Sequence, residues 1–223
     1  MKSTVMIAIP CLLLTMPATG ARAEFVVETV YRESAARVTE VPPVDWTLDG
    51  DLTLEWGSTI LAAAAMRDDA NASASQSGEA SWDGPTIMVA GTQHVETGRS
   101  GSGDAVDLWT RNLVRIEFTN GDPFVLHVEW EKTEYPSAWF VTIMDELLHA
   151  EIVWLVADDP MGGVTIPCSG SGVYTLTAEH ILSRRQSEPG VRSGDLSFSI
   201  LLGPEGTVPS RDETWSSVKS LYR

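Results

Sequence analysis

The stretch FVLHVEWEK, residues 124–132, carries the densest set of groups able to do chemistry. On an extended strand successive side chains alternate between faces. His127, Glu129 and Glu131 therefore share one face, and Phe124, Leu126, Val128 and Trp130 share the other. One imidazole and two carboxylates on one face form a candidate divalent-metal set, and with it a candidate metal-dependent enzyme site. The plainer expectation is a solvated polar face, the common state of an antiparallel strand with one side in water.

Carboxylates supply two further candidates. Asp45, Asp49 and Asp51 precede an apolar strand pattern, and Asp104 and Asp107 close a glycine- and serine-rich stretch, TGRSGSGDAVD. Oxygen-rich loops of this kind can hold Ca²⁺, although neither group has the EF-hand spacing. DELLHAE, residues 145–151, offers Asp145, Glu146, His149 and Glu151, and is expected to be a solvated connection. Of the eight tryptophans, Trp46, Trp82 and Trp109 flank expected loops. They are the candidates for stacking on sugar rings, which makes a carbohydrate-binding module, stabilised by Ca²⁺, the alternative reading. No complete G-x-S-x-G, H-E-x-x-H, G-x-G-x-x-G or P-loop pattern is present. A non-catalytic protein is therefore the first expectation.

The elements that must position these residues are short strands. Period-2 apolar patterns recur at 25–31, 51–56, 59–66, 85–91, 113–118, 124–130, 139–144, 150–156, 172–182 and 195–202. Asn120-Gly121 reads as a hairpin turn, since both residues accept positive φ. About ten strands without βαβ alternation imply an all-β fold, an antiparallel β-sandwich or jelly roll. Residues 34–46 have room for one helical turn that Pro42-Pro43 would end. The stretch 67–82, RDDANASASQSGEASW, reads either as an edge strand with a small-residue face or as a loop, and 97–107 reads as a mobile loop.

The chain divides into three parts. Residues 1–23 have the order of a secretory signal peptide: Lys2, an apolar run from Val5 to Met16, then Ala21-Arg22-Ala23 as the cleavage triplet. Roughly twelve apolar residues fall short of the ~20 that a spanning helix needs. Export to the periplasm or exterior is expected, with no transmembrane segment in the mature chain. Residues 24–205 form the sandwich, and 206–223 form a short amphipathic C-terminal helix. In that tail Ser210 and Glu213 match a capping box, and Trp215, Val218, Leu221 and Tyr222 form a docking face.

Losing Lys2 and Arg22 takes the formal net charge from −16 to −18. Such a surface repels nucleic-acid phosphate and leaves glycans or envelope proteins as the expected partners. Cys168 is the only cysteine after the leader, and it is expected to be a small buried hydrophobe.

The stretch CSGSGVYTLTAEHILSRRQSEPGVRSGDLSFSILL resembles the last two strands of secreted bacterial β-sandwich proteins of the kind that carry PEP-CTERM sorting tails. A Gly-x-Tyr-Thr-Leu strand, here Gly172 to Leu176, precedes a final Ser-Phe-Ser strand, here Ser197 to Ser199. The resemblance implies an extracellular sandwich over 24–202 and brings no shared activity. TWSSVKSLYR stands where a Pro-Glu-Pro signal, a membrane helix and a basic cluster would be.

Overall fold

The computed structural model describes residues 24–39, 45–53, 60–133, 137–168 and 171–204, with 45–53 described by backbone alone. The expected signal peptide and C-terminal helix lie outside these residues. Among the described residues there are twelve strands: β1 Val26–Thr39, β2 Asp45–Thr53, β3 Leu61–Arg67, β4 Ala70–Trp82, β5 Ile87–Arg99, β6 Val106–Asn120, β7 Phe124–Lys132, β8 Ala138–Asp145, β9 Ala150–Val156, β10 Met161–Cys168, β11 Gly172–Gln186 and β12 Gly190–Gly203. They form two antiparallel six-stranded sheets, ordered β2-β1-β6-β11-β8-β9 and β10-β7-β12-β5-β4-β3. Among the described residues no helix is long and apolar enough to cross a membrane.

Three local readings are corrected. The alanine/serine stretch is an interior strand, β4, paired on both sides with β3 and β5. Residues 34–39 are extended, because β1 is hydrogen-bonded to β2 on one side and β6 on the other. The turn at Asn120-Gly121 joins the two sheets and closes no hairpin. Phe118 and Phe124 on its flanks pack edge to face at 5.8 Å across the layers, so the chain crosses over its own aromatic core.

The small residues of β4 determine how close the sheets come. Ala70, Ala72 and Ala74 point inward with Ala63 and Ala65 of β3 and Ala36 of β1. Side chains this small let Cα atoms of β1 approach β3 and β4 within 8 Å, against ~10 Å for ordinary face-to-face sheets. At the opposite side the gap is filled by rings: Phe25, Phe118, Phe124 and Tyr174 in one group, Trp130, Trp139 and Phe198 in another. The molecule is thus pinched along β1–β4 and wide along β7–β11.

Candidate functional site

On β7, His127 and Glu129 lie side by side with Nε2 to Oε1 at 3.3 Å, while His127 Nδ1 is 2.8 Å from Thr165 Oγ1 of β10. Both ring nitrogens are engaged within the sheet surface. Glu131 shares the face but is exposed further along. No group of three or more His, Cys, Asp or Glu gathers for a metal ion among the described residues.

The calcium candidates take unexpected positions. Asp45, Asp49 and Asp51 lie inside β2, not in a loop before it, and stand opposite Val38, Ser34 and Arg32 in register. Strand geometry spreads residues 45 and 51 roughly 20 Å apart. Asp104 and Asp107 flank the start of β6. Arg99 fastens this stretch: its Nε meets Asp69 Oδ2 at 3.0 Å, and its Nη1 donates to the carbonyls of Asp104 (2.6 Å) and Gln186 (3.1 Å). Residues 97–99 belong to β5 and 106–107 to β6, which leaves a connection shorter than the sequence pattern implied.

The tryptophans sort by environment. Trp82 packs against the main core. Trp109 is flanked by the guanidinium groups of Arg111 and Arg37, 5.3 and 5.9 Å from its ring centre. Nearby Arg111 pairs with Glu33 and Glu179. Tyr31 donates to Glu33 at 2.5 Å, and burial together with that bond pushes its hydroxyl up to about 12. The side chain of Trp46 is outside the described residues. Cys168 is buried, and desolvation pushes its thiol up to about 11, so it is a packing residue.

A buried polar belt crosses the core where the two packing regimes meet. Register places Ser34, Asn112, His180 and Trp139 in one row over β1, β6, β11 and β8. Asn112 receives a bond from Ser34 Oγ at 2.7 Å and donates across the gap to the carbonyls of Ser75 (2.9 Å) and His94 (2.8 Å). Gln76 answers from the other sheet, donating to the carbonyls of Glu33 (2.7 Å) and Leu113 (3.3 Å). Each amide thus reaches the opposing backbone, which only the pinched spacing allows. His180 is fully buried at the next position, and neither ring nitrogen bonds another described group. Burial first, then the positive charge of Lys132 and the neighbouring His94, lower its pKa to about 3. Gly194 makes room here: a Cβ on it would sit 2.3 Å from Ser137 Oγ and 3.4 Å from His180 Nε2. A neutral imidazole this deep in the core is a packing group and is poorly suited to take protons near neutral pH.

The surface feature that sequence reasoning missed lies on the β8–β9 hairpin. Asp145 Oδ1 accepts the backbone N–H of both Leu147 and Leu148 at 3.0 Å, and Glu146 accepts from Thr175 Oγ1 at 2.5 Å. DELLHAE is therefore a pinned turn that holds two leucines outward. Leu147 is 67 % exposed, Leu148 73 % and Trp154 62 %, with Met144 and Ile152 also open to solvent. The Trp154 ring lies 5.9 Å from Phe140 at 50°. β9 ends its sheet, and no other described strand pairs with its outer side. The run IVWLV, residues 152–156, has the unbroken apolar character of a central strand, which hides its edge position. Compared with known proteins, the chain matches no family model and no curated sequence.

Proposed function

We propose that this protein is a non-catalytic interaction module of the bacterial envelope or exterior, and that it binds through the β8–β9 face. The observation that carries the reading is the cluster of Met144, Leu147, Leu148, Ile152 and Trp154, all exposed on one hairpin. Large apolar side chains held in the open on one hairpin mark a candidate binding surface, and an exposed Trp is the residue type most enriched in binding hot spots. The signal-peptide pattern of residues 1–23, the acidic composition and the resemblance to secreted sandwiches support an extracytoplasmic setting.

A photo-crosslinking side chain at position 148, with a control at Met66 on β3, tests the reading in the extracellular and envelope fractions of the producing cells. Discrete protein adducts at 148 and none at 66 are expected. Equal labelling at both positions would refute it. Binding of a glycan is the second reading, favoured by the exposed Trp154 indole. Glycan-array binding that Trp154→Ala abolishes would select it.

A further inference from the structure

We propose that Asn71 is the acceptor of an N-linked glycan, within the triplet Asn71-Ala72-Ser73. The inference rests on the extracytoplasmic setting proposed above, because glycans of this kind are attached outside the cytoplasm. Asn-x-Ser, where x is not proline, is the acceptor pattern. Asp69 completes the acid-x-Asn-x-Ser form that bacterial glycosylation uses. The chain's other asparagines, Asn112 and Asn120, lack the pattern and are buried. Asn71 is half-buried near the start of β4, just past the tight turn that follows β3. Ala70 and Ala72 on either side point into the core, so Asn71 and Ser73 share the outer face of the sheet.

The transfer joins the side-chain amide nitrogen of Asn71 to the anomeric carbon of a sugar carried on a lipid pyrophosphate. The carbon–oxygen bond to the pyrophosphate breaks, the lipid carrier leaves with that electron pair, and the amide gives up one proton. In the folded chain the backbone of Asn71 is paired with Met66 and with Gly98, and Asp69 is held by Arg99. The acceptor is therefore recognised before the hairpin closes, and the finished sheet has only to accommodate the product. Gly98 leaves the room. A Cβ there would stand 2.6 Å from Asn71 Oδ1 and 3.3 Å from Val191 Cγ2, so the amide lies over bare backbone. Among the described residues none hydrogen-bonds its Nδ2. Register continues the row Met66, Asn71, Gly98, Val191 across four strands. Met66 is 75 % exposed and Val191 62 %. The C–H faces of the first sugars pack on these two side chains and remove their apolar area from water.

Intact mass and tryptic mapping of the chain from the extracellular and envelope fractions of the producing cells test this. Trypsin releases residues 68–99 as one peptide, since no Lys or Arg lies between Arg67 and Arg99. That peptide is expected to carry the mass of one oligosaccharide. Asn71→Gln and Ser73→Ala should each abolish the added mass, while Ser73→Thr, which keeps the hydroxyl, should retain it. All three changes lie on the outer face, and unchanged melting midpoints will show that the variants fold. An exported chain whose 68–99 peptide has its unmodified mass would overturn the inference and leave the extracytoplasmic reading standing. Sugar mass that survives Asn71→Gln would overturn it too, since a serine hydroxyl of β4 would then be the acceptor. A chain found only in the cytoplasm with residues 1–23 still attached would remove the extracytoplasmic reading and the glycan with it.

Discussion

Acidification offers a direct test of the buried belt, because His180 is the one fully buried imidazole among the described residues. Its folded-state pKa is lowered from 6.5 to about 3 by burial and by Lys132 and His94, with Asp195 opposing weakly. The unfolded chain protonates this histidine below pH 6.5 and the folded chain does not. The unfolded state thus binds more protons throughout the interval from 6.5 to 3, and stability falls as pH falls. Above pH 6.5 the effect vanishes; below it the loss grows by up to about 1.4 kcal/mol per pH unit. Between pH 7.5 and 5.0 it amounts to about 2 kcal/mol, a sizeable part of the 5–15 kcal/mol typical of a domain. That window stays above the range where most carboxylates titrate. Urea unfolding followed by tryptophan fluorescence at pH 7.5, 6.5 and 5.0 measures it in the wild type and in His180→Leu, which keeps a buried side chain of similar bulk without a proton site. The wild type should lose about 2 kcal/mol over the interval and the variant well under half of that. Parallel curves for the two proteins would show that His180 is solvated or already paired when charged, and would refute the buried-belt account.

Three further outcomes follow from the same geometry. Asn112→Leu strands the carbonyls of Ser75 and His94 and should cost about 2–4 kcal/mol in urea unfolding, while Asn112→Asp, which cannot donate, should cost at least as much. Gly194→Ala drives a methyl into Ser137 and should cost about 1–3 kcal/mol; pairing it with Ser137→Gly should return most of the loss, and a simply additive double mutant would place the clash elsewhere. Because both nitrogens of His127 are engaged by Glu129 and Thr165, Zn²⁺ is expected to leave the melting midpoint within about a degree. A rise of several degrees, the size a specific ligand produces in a domain this long, would mean that those contacts yield to the ion.

The fold class was legible because inward and outward residues alternate wherever a strand has one face in water. β6 shows it over its whole length, from Val106 to Asn120. The pattern became ambiguous where inward residues are small. Ala70, Ala72 and Ala74 are buried as fully as any valine, yet alanine against serine gives little contrast in hydropathy. The same smallness that blurs the pattern is what draws the sheets together. The belt was invisible for a different reason. Ser34, Asn112, Trp139 and His180 are far apart in sequence, and only the register across four strands joins them. Cys168 could be judged alone, since its environment follows from its residue type. Trp154 could not: an apolar strand looks the same whether its neighbours are two strands or one.

Pinching, belt and open edge are connected. Short side chains bring β1 within reach of β4, and at that spacing Asn112 and Gln76 each bond the opposite backbone. These bonds specify one register for the pinched half, because a shift by one residue would turn both amides to the surface. Among the described residues the aromatic half has no such cross-sheet amides, and its packing tolerates a wider separation. Width there moves β9 away from the opposite sheet, so the edge that β3 finds covered by β1 and β2 stays open at β9. Trp139→Leu, in the same inner row as His180, removes ring volume next to Phe198 and Trp130. It should destabilise the fold by about 3 kcal/mol while leaving acrylamide quenching of Trp154 unchanged, because Trp154 faces away from the core. Protection of Trp154 in that variant would show that the two sides of the sandwich are coupled through the sheet.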